Sequence, residues 1–373
     1  MQRETPTLIE VDLNALRHNY QSIRKRVGEK VRILAVVKSN AYGHGAVPVA
    51  RALQIEGVDL FGVGTVDEGI QLREAGIKRP ILILLGLIGG KFGELLRYEL
   101  TPVLYDLRTA RELNRFLESR GQGMEVQVKI DTGMTRLGVP VAETASFFDE
   151  LKKLAQLRPV GLISHLADAD SEEFTRQQVA GFEKGRVEFL KRFPSVQLHL
   201  ANSLAALDRR CPYDTVRLGI ALYGSYPVIR QQRLNSLKPV MRWRSELVSI
   251  KKVVTGTAVS YGRTFKTKRP TLIGVVPVGY ADGYPRLASN RGSVLVNGSR
   301  VPVVGTVCMD MMMVDLAKVP SAKVGDEVVL LGPQGKDCVT AEELGRWAET
   351  ISYEIYCRVA ERVPRRFVDS ERR

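Results

Sequence analysis

Across its first two-thirds the chain alternates short runs of β-branched and aliphatic residues with segments of helical periodicity, and that alternation leaves few folds open. Eight runs occur, at residues 31–38, 60–65, 81–86, 101–106, 125–131, 159–166, 196–202 and 215–224. Most are nearly continuous in Val, Ile and Leu, the composition of parallel strands covered on both faces. Segments 107–120 and 142–157 carry apolar residues at three- and four-residue intervals, as amphipathic helices do. The runs begin about 26 residues apart on average, a comfortable βα repeat. A doubly wound sheet gives the same alternation, but the count of eight favours closure. The sequence thus predicts an α/β fold, a (β/α)8 TIM-like barrel. A helix over 12–27 leads into it, with Asp12 as cap and Leu13, Leu16, Tyr20 and Ile23 on one face.

Beyond Lys238 and Pro239 the pattern changes. Short strands split by Gly and Pro are expected at 247–255, 272–278, 293–296, 301–305, 312–316 and 327–331, a predominantly β C-terminal domain. Thr340 with Glu343 three positions on makes a capping-box pattern that opens a helix running to about residue 350. The expected division is therefore residues 1–238 for the barrel and 239–373 for the β domain.

Composition narrows the partners. With 44% hydrophobic and 26% charged residues among 373, neither disorder nor a membrane bundle is expected. The longest apolar stretch, residues 81–90, is about half the ~20 residues that cross a bilayer. The polar opening residues lack the apolar core of a secretory signal, so a cytoplasmic protein with no membrane partner is expected. A net charge of +14 admits a polyanionic ligand. The densest basic clusters, Arg263, Lys266, Lys268 and Arg269, then Arg362, Arg365 and Arg366, are short and lack interleaved aromatics, so no nucleic acid is expected. Cys211, Cys308, Cys338 and Cys357 have no paired spacing and read as free thiols. His18, His44, His165 and His199 are scattered, so no metal site is expected. Two glycine-rich stretches fail as phosphate loops: Leu85 and Phe92 stand where a P-loop needs Gly and Ser or Thr, and Asp67 replaces the third dinucleotide-motif glycine after Gly62 and Gly64.

The sharpest feature is Val-Val-Lys-Ser-Asn-Ala-Tyr-Gly-His-Gly over residues 36–45, where an apolar strand ends in Lys38 and turns. Barrel chemistry sits at strand C-terminal ends, and a lysine between apolar barrel and open site is biased toward the neutral amine that forms imines. Further motifs follow in order. They are Val-Lys-Ile-Asp-Thr-Gly-Met-Thr-Arg-Leu-Gly at 128–138, Ser-His-Leu-Ala-Asp at 164–168, Ala-Asn-Ser at 201–203 and Arg-Leu-Gly-Ile-Ala-Leu-Tyr-Gly at 217–224. Then come Val-Ser-Tyr-Gly at 259–262, Gly-Tyr-Ala-Asp-Gly-Tyr-Pro-Arg at 279–286, Gly-Thr-Val-Cys-Met-Asp at 305–310 and Ile-Ser-Tyr-Glu at 351–354.

Together these resemble the alanine racemases, pyridoxal 5'-phosphate enzymes built as a (β/α)8 barrel followed by a β domain. The resemblance runs the length of the chain. Ser39, Thr135 and Leu218 replace the commoner Ala, His and Pro, and none removes a catalytic side chain. It implies interconversion of L-alanine and D-alanine by two bases, with D-alanine supplied for peptidoglycan. A broader amino-acid (serine) racemase and a non-catalytic pyridoxal-phosphate-binding protein are the alternatives.

The resemblance also implies roles. Lys38 holds the cofactor as an imine and serves as the base on the D face; Tyr261 is the base on the other. A tyrosine hydroxyl ionises near ~10 in water, and His165 and Arg217 are implied as the cationic neighbours such a base needs. Arg217 also faces the pyridine nitrogen and keeps it unprotonated. Tyr42, Asn202, Ser203, Tyr353 and the amides of Gly219 and Ile220 are implied to hold the cofactor and its phosphate. Arg136 takes the substrate carboxylate, and Lys129 is the lysine often carbamylated in the family. Met309, Asp310, Tyr280 and Tyr261 are implied to arrive from the second subunit of a homodimer.

Overall fold

The structure, a computed structural model, describes residues 5–194, 196–210, 213–234 and 236–369. Cys211 lies outside the described residues; Cys308, Cys338 and Cys357 are free thiols.

All eight expected barrel strands form: Arg32–Val36, Leu60–Val63, Ile81–Ile83, Leu100–Leu104, Met124–Asp131, Leu157–Ile163, Gln197–His199 and Thr215–Leu218. Each pairs in parallel with its sequence neighbours, and Thr215–Leu218 returns to pair with Arg32–Val36, which closes the ring. The continuous aliphatic runs follow from burial on both faces. Ile33, Leu34, Phe61, Ile81 and Ile83 have no exposure, and each such side chain contributes roughly 1.5–3 kcal/mol. Caps set the helix starts. Asp12 accepts from the amides of Asn14 and Ala15 to open Leu13–Val27, and Asp106 from Thr109 to open Leu107–Glu118.

The C-terminal domain contains the six expected strands within larger sheets. One runs in the order Ser299–Pro302, Ser293–Val296, Glu327–Gln334, Met241–Glu246, Leu8–Asp12 and Arg365–Val368; another joins Ser249–Val253, Thr271–Val276 and Met312–Asp315. Thr340 and Glu343 form the expected capping box at the start of Ala341–Trp347.

One strand of that sheet comes from the other end of the chain. Leu8–Asp12 lies antiparallel to Met241–Glu246 and parallel to Arg365–Val368 before it runs into the first helix. Ile9 and Val11 turn inward, while Glu10 meets Arg242 at 2.8 Å, Arg244 at 3.1 Å and Arg366. Burial opposes the Glu10 charge, but the three guanidinium groups outweigh it and hold the carboxyl at about 2. Arg365 donates to the Val359, Ala360 and Val363 carbonyls, and Arg362 pairs with Asp282 and Asp310. This basic cluster therefore has its partners within the chain, at acidic side chains and backbone carbonyls. Among the described residues no helix is long and apolar enough to cross a membrane, and no group of metal-binding side chains occurs.

Candidate active site

A cavity of about 410 Å³ opens where the barrel strands end. The first strand delivers Lys38 to its wall, and the chain then does something L-residues avoid. Ser39, Asn40, Ala41 and Tyr42 all adopt φ of 53°, a single left-handed turn. Each such residue costs roughly 1–2 kcal/mol, so the turn exists only because its surroundings impose it. Ala41 N donates to Val37 O at 2.8 Å and Gly43 N to Ser39 O at 3.0 Å. His44, fully buried, places Nδ1 3.0 Å from the Ala41 and Tyr42 carbonyls; both accept, so Nδ1 carries the proton. The C-terminal domain closes over the same turn. A Cβ on Gly43 would stand 2.4 Å from Tyr356 O, and the His44 ring lies 4.8 Å from that of Tyr356.

Four cations line the cavity: Lys38, Lys129, Arg136 and Arg217. Among the described residues the side chains of Lys38, Lys129 and Arg136 make no hydrogen bond or ion pair. Burial, then Arg136, lowers the Lys38 pKa, and burial with Arg217 and Arg136 brings Lys129 down to about 8. Arg217 donates through Nη2 to Ser164 O at 2.5 Å and to His165 Nδ1 at 3.2 Å, while its Nη1 is buried with no partner. Such an orphaned donor beside a cavity calls for an acceptor from a ligand.

His165 corrects an expectation. Burial, Arg217, Arg136, Lys129 and Lys38 push its pKa well below the usual histidine value, and Nδ1 accepts from Arg217. It is a neutral group that steers Arg217, and the expected cation is absent. Gln178, fully buried, supports it by donating to His165 O at 3.0 Å.

Tyr42, Ser203, Gly219 and Tyr353 cluster together. Ser203 Oγ accepts from Gly219 N at 3.0 Å, and the Tyr42 and Tyr353 rings lie 6.0 Å apart. A Cβ on Gly219 would stand 2.5 Å from the Tyr42 hydroxyl, so a larger residue there would displace that hydroxyl. Burial raises the Tyr42 pKa and pushes Tyr353 up to about 12, so both hydroxyls remain proton donors. Asn202 and Ile220 also face the cavity, with Asn202 Oδ1 capping the amides of Leu204 and Ala205. Hydroxyl and amide donors grouped this way suit a phosphate, and Arg217 two residues earlier suits a ring nitrogen. The residues therefore fit pyridoxal phosphate.

Tyr261, Tyr280, Met309 and Asp310 do not line this cavity. They share a face of the C-terminal domain: Tyr280 N donates to Cys308 O, Ala281 N to Met309 O, and Thr306 Oγ1 to Tyr261 O. Tyr261 is 72% exposed, Met309 54% and Tyr280 39%, an apolar and phenolic patch on a single chain. Ser164, inside the motif that carries His165, also lines the cavity, as does Cys357; Glu68 stands behind Lys38, and the sequence assigns neither Cys357 nor Glu68 to the site.

The buried histidines make the fold acid-sensitive. His44 titrates at about 4, because burial disfavours its cation, against 6.5 unfolded. The unfolded chain takes up a proton first, so stability present above pH 6.5 is lost as pH falls toward 4, about 3 kcal/mol from this group. His165 and His199, both lowered by burial, act in the same direction. Urea midpoints should fall steeply between pH 7 and pH 4.5; a flat profile would contradict neutral buried imidazoles.

Comparison with known proteins agrees with this geometry. The family model for the alanine racemase N-terminal domain matches residues 11–227, and that for the C-terminal domain matches 240–367. An alanine racemase of Geobacter sulfurreducens is 44% identical over 98% of this chain and 97% of its own, and one of Syntrophobacter fumaroxidans is 45% identical over 94% of both. The crystal structure of the alanine racemase from D-cycloserine-producing Streptomyces lavendulae superposes with a TM-score of 0.94 at 35% identity, covering 99% of this chain and 98% of that one. That of Bacillus anthracis with bound L-Ala-P gives 0.90 at 33%, covering 99% and 97%. The chain belongs to the alanine racemase family.

Proposed function

We propose that this chain binds pyridoxal 5'-phosphate at the barrel mouth and interconverts L-alanine and D-alanine. The observation that carries this reading is one cavity holding a lysine whose charge is disfavoured by burial and a guanidinium with an unpartnered, buried Nη1. When bound, the cofactor supplies a covalent hold on an amino group and a ring that draws electrons from its Cα. Lys38 holds the resting cofactor and then takes or returns the Cα proton on the D face. Arg217, whose Nη1 is buried without a partner, would face the ring nitrogen and, being cationic, would keep it unprotonated, which would favour return of the proton to Cα over side reactions. Tyr42, Ser203, Tyr353, Asn202 and the backbone at Gly219 and Ile220 anchor the phosphate side. Arg136 receives the substrate carboxylate in a bidentate contact.

The opposite face needs a second base. Tyr261, the residue the resemblance assigns, is not on this chain's own cavity wall among the described residues; it sits on an exposed patch with Tyr280, Met309 and Asp310. In our reading a twofold homodimer carries that patch to the second copy's barrel, so one interface makes two identical sites. Lys129, whose pKa burial, Arg217 and Arg136 bring down to about 8, more readily presents the free amine that takes up carbon dioxide: the amine adds to the carbon, releases one proton and leaves a carbamate that pairs with Arg136. A cytoplasmic enzyme supplying D-alanine for peptidoglycan fits this activity.

The test is direct. With pyridoxal phosphate added, the purified chain should bring L-alanine to equal enantiomers and act more slowly on L-serine. Borohydride reduction and peptide mapping should place the cofactor on Lys38. A label on another lysine, or a cofactor-loaded protein inert toward alanine, would overturn the reading.

A further inference from the structure

The peptide that follows Lys38 is held from outside its own turn. Glu68 is the third residue of the helix Val66–Glu74, where it forms a capping box with Thr65: Glu68 N lies 3.4 Å from Thr65 Oγ1, and Thr65 N donates to Glu68 Oε2 at 3.3 Å. A capping box asks no more of the carboxylate. Here Oε2 also accepts from Gly64 N at 2.6 Å, and Oε1 accepts from Ser39 N at 2.6 Å, a residue of the preceding βα unit. Ser39 N belongs to the peptide bond joining Lys38 to the left-handed turn. The turn's own hydrogen bonds, from Ala41 N to Val37 O and Gly43 N to Ser39 O, leave that amide to Glu68. Gly64 leaves room for the approach: a Cβ there would crowd Glu68 Oε2 at 3.1 Å and touch Lys38 Cβ at 3.7 Å.

The carboxylate also has an electrostatic position. The charged and titratable groups around Lys38 are Lys129 on strand Met124–Asp131, Arg136 beyond its end, Arg217, Tyr42, neutral His165, then Tyr353 and Cys357 from the C-terminal domain, and Glu68. Burial and Arg136 disfavour the lysine cation; Glu68 is the larger of the two influences opposing them, Cys357 the other.

We propose that Glu68 is a positioning residue for Lys38: by holding the Ser39 amide it fixes where the lysine amine stands, and by its charge it counters the cations around that amine. This rests on the reading of Lys38 as the reactive lysine. The charge and the tether are separable. Glu68→Gln keeps the length, removes the charge and leaves one acceptor oxygen where there were two. Glu68→Asp keeps the charge and shortens the reach to Ser39. Thr65→Ala breaks the capping box and leaves the carboxylate.

The measurement is the pH midpoint for acetic anhydride labelling of Lys38 in the full-length protein stripped of pyridoxal phosphate, read by peptide mapping, with alanine kinetics on the loaded enzyme. Glu68→Gln should lower the midpoint by about half a unit to one unit. It should also lower kcat by about 10- to 100-fold with KM for alanine within about twofold, since Arg136 is untouched. Glu68→Asp should lower kcat similarly with a smaller midpoint shift. Thr65→Ala should lose thermal stability and leave both midpoint and kcat near the parent. A folded Glu68→Gln protein with the parent midpoint and kcat would overturn the proposal, as would Thr65→Ala reproducing its effects. Should Glu68→Gln not fold, unchanged kcat in Glu68→Asp would overturn it. Borohydride fixation of the cofactor to another lysine in the parent would instead defeat the functional reading, and this inference with it.

Discussion

Lys38→Ala should reduce racemisation of alanine by at least about 10⁴-fold in both directions, because the substitution removes a base and the covalent hold on the cofactor together. General-base catalysis alone accounts for roughly 10²- to 10⁴-fold. The fold should survive. The Lys38 side chain makes no hydrogen bond or ion pair among the described residues, and the left-handed turn is held by its own backbone, by His44 and by Glu68. An amine such as methylamine, small enough for the vacated space, should restore part of the rate, with a dependence on pH that follows the amine's own ionisation. Retention of more than a tenth of the parent rate would remove Lys38 from the chemistry.

Tyr261→Phe should cost roughly 10²- to 10⁴-fold in racemisation while leaving thermal stability nearly unchanged. An oxygen on a residue 72% exposed in the single chain contributes little to folding, so a large catalytic loss there marks a chemical role. Both directions must slow alike, since the enantiomers are equal in energy and each direction uses both bases. Hydrogen exchange separates the faces. In deuterated solvent the variant should still exchange the α-hydrogen of D-alanine through Lys38, while exchange from L-alanine falls with racemisation. Equal loss of exchange from both enantiomers would argue against one base per face.

Much of the fold and the site was legible in the sequence, for identifiable reasons. The eight barrel strands are doubly buried, so their aliphatic runs announce themselves without reference to any partner. Lys38, Arg136, Arg217 and Tyr261 stand inside motifs whose residue types the chemistry needs. The strand Leu8–Asp12 was not legible, because its five residues mix Ile9 and Val11 with Glu10 and Asp12, and the arginines that neutralise Glu10 lie more than two hundred residues away. The charge state of His165 was equally hidden: the resemblance implies a cation there, and only burial and the basic groups around it turn the imidazole neutral. Glu68 shows an intermediate case. Thr65 and Glu68 carry a capping-box spacing that the chain displays openly, yet nothing in that spacing points to Ser39.

The central claim is that one site is made from Lys38 of one chain and Tyr261 of another. It is tested most directly by mixing two inactive proteins, Lys38→Ala and Tyr261→Phe, unfolding and refolding them together. Random pairing makes half of the dimers mixed, and each mixed dimer has one doubly damaged site and one intact site, so about a quarter of the parent activity should return. Separately tagged chains, purified through both tags, should carry that activity. Mixed dimers isolated in this way with no activity above either inactive parent would show that each chain supplies both bases to its own site, and would contradict a site shared between two chains.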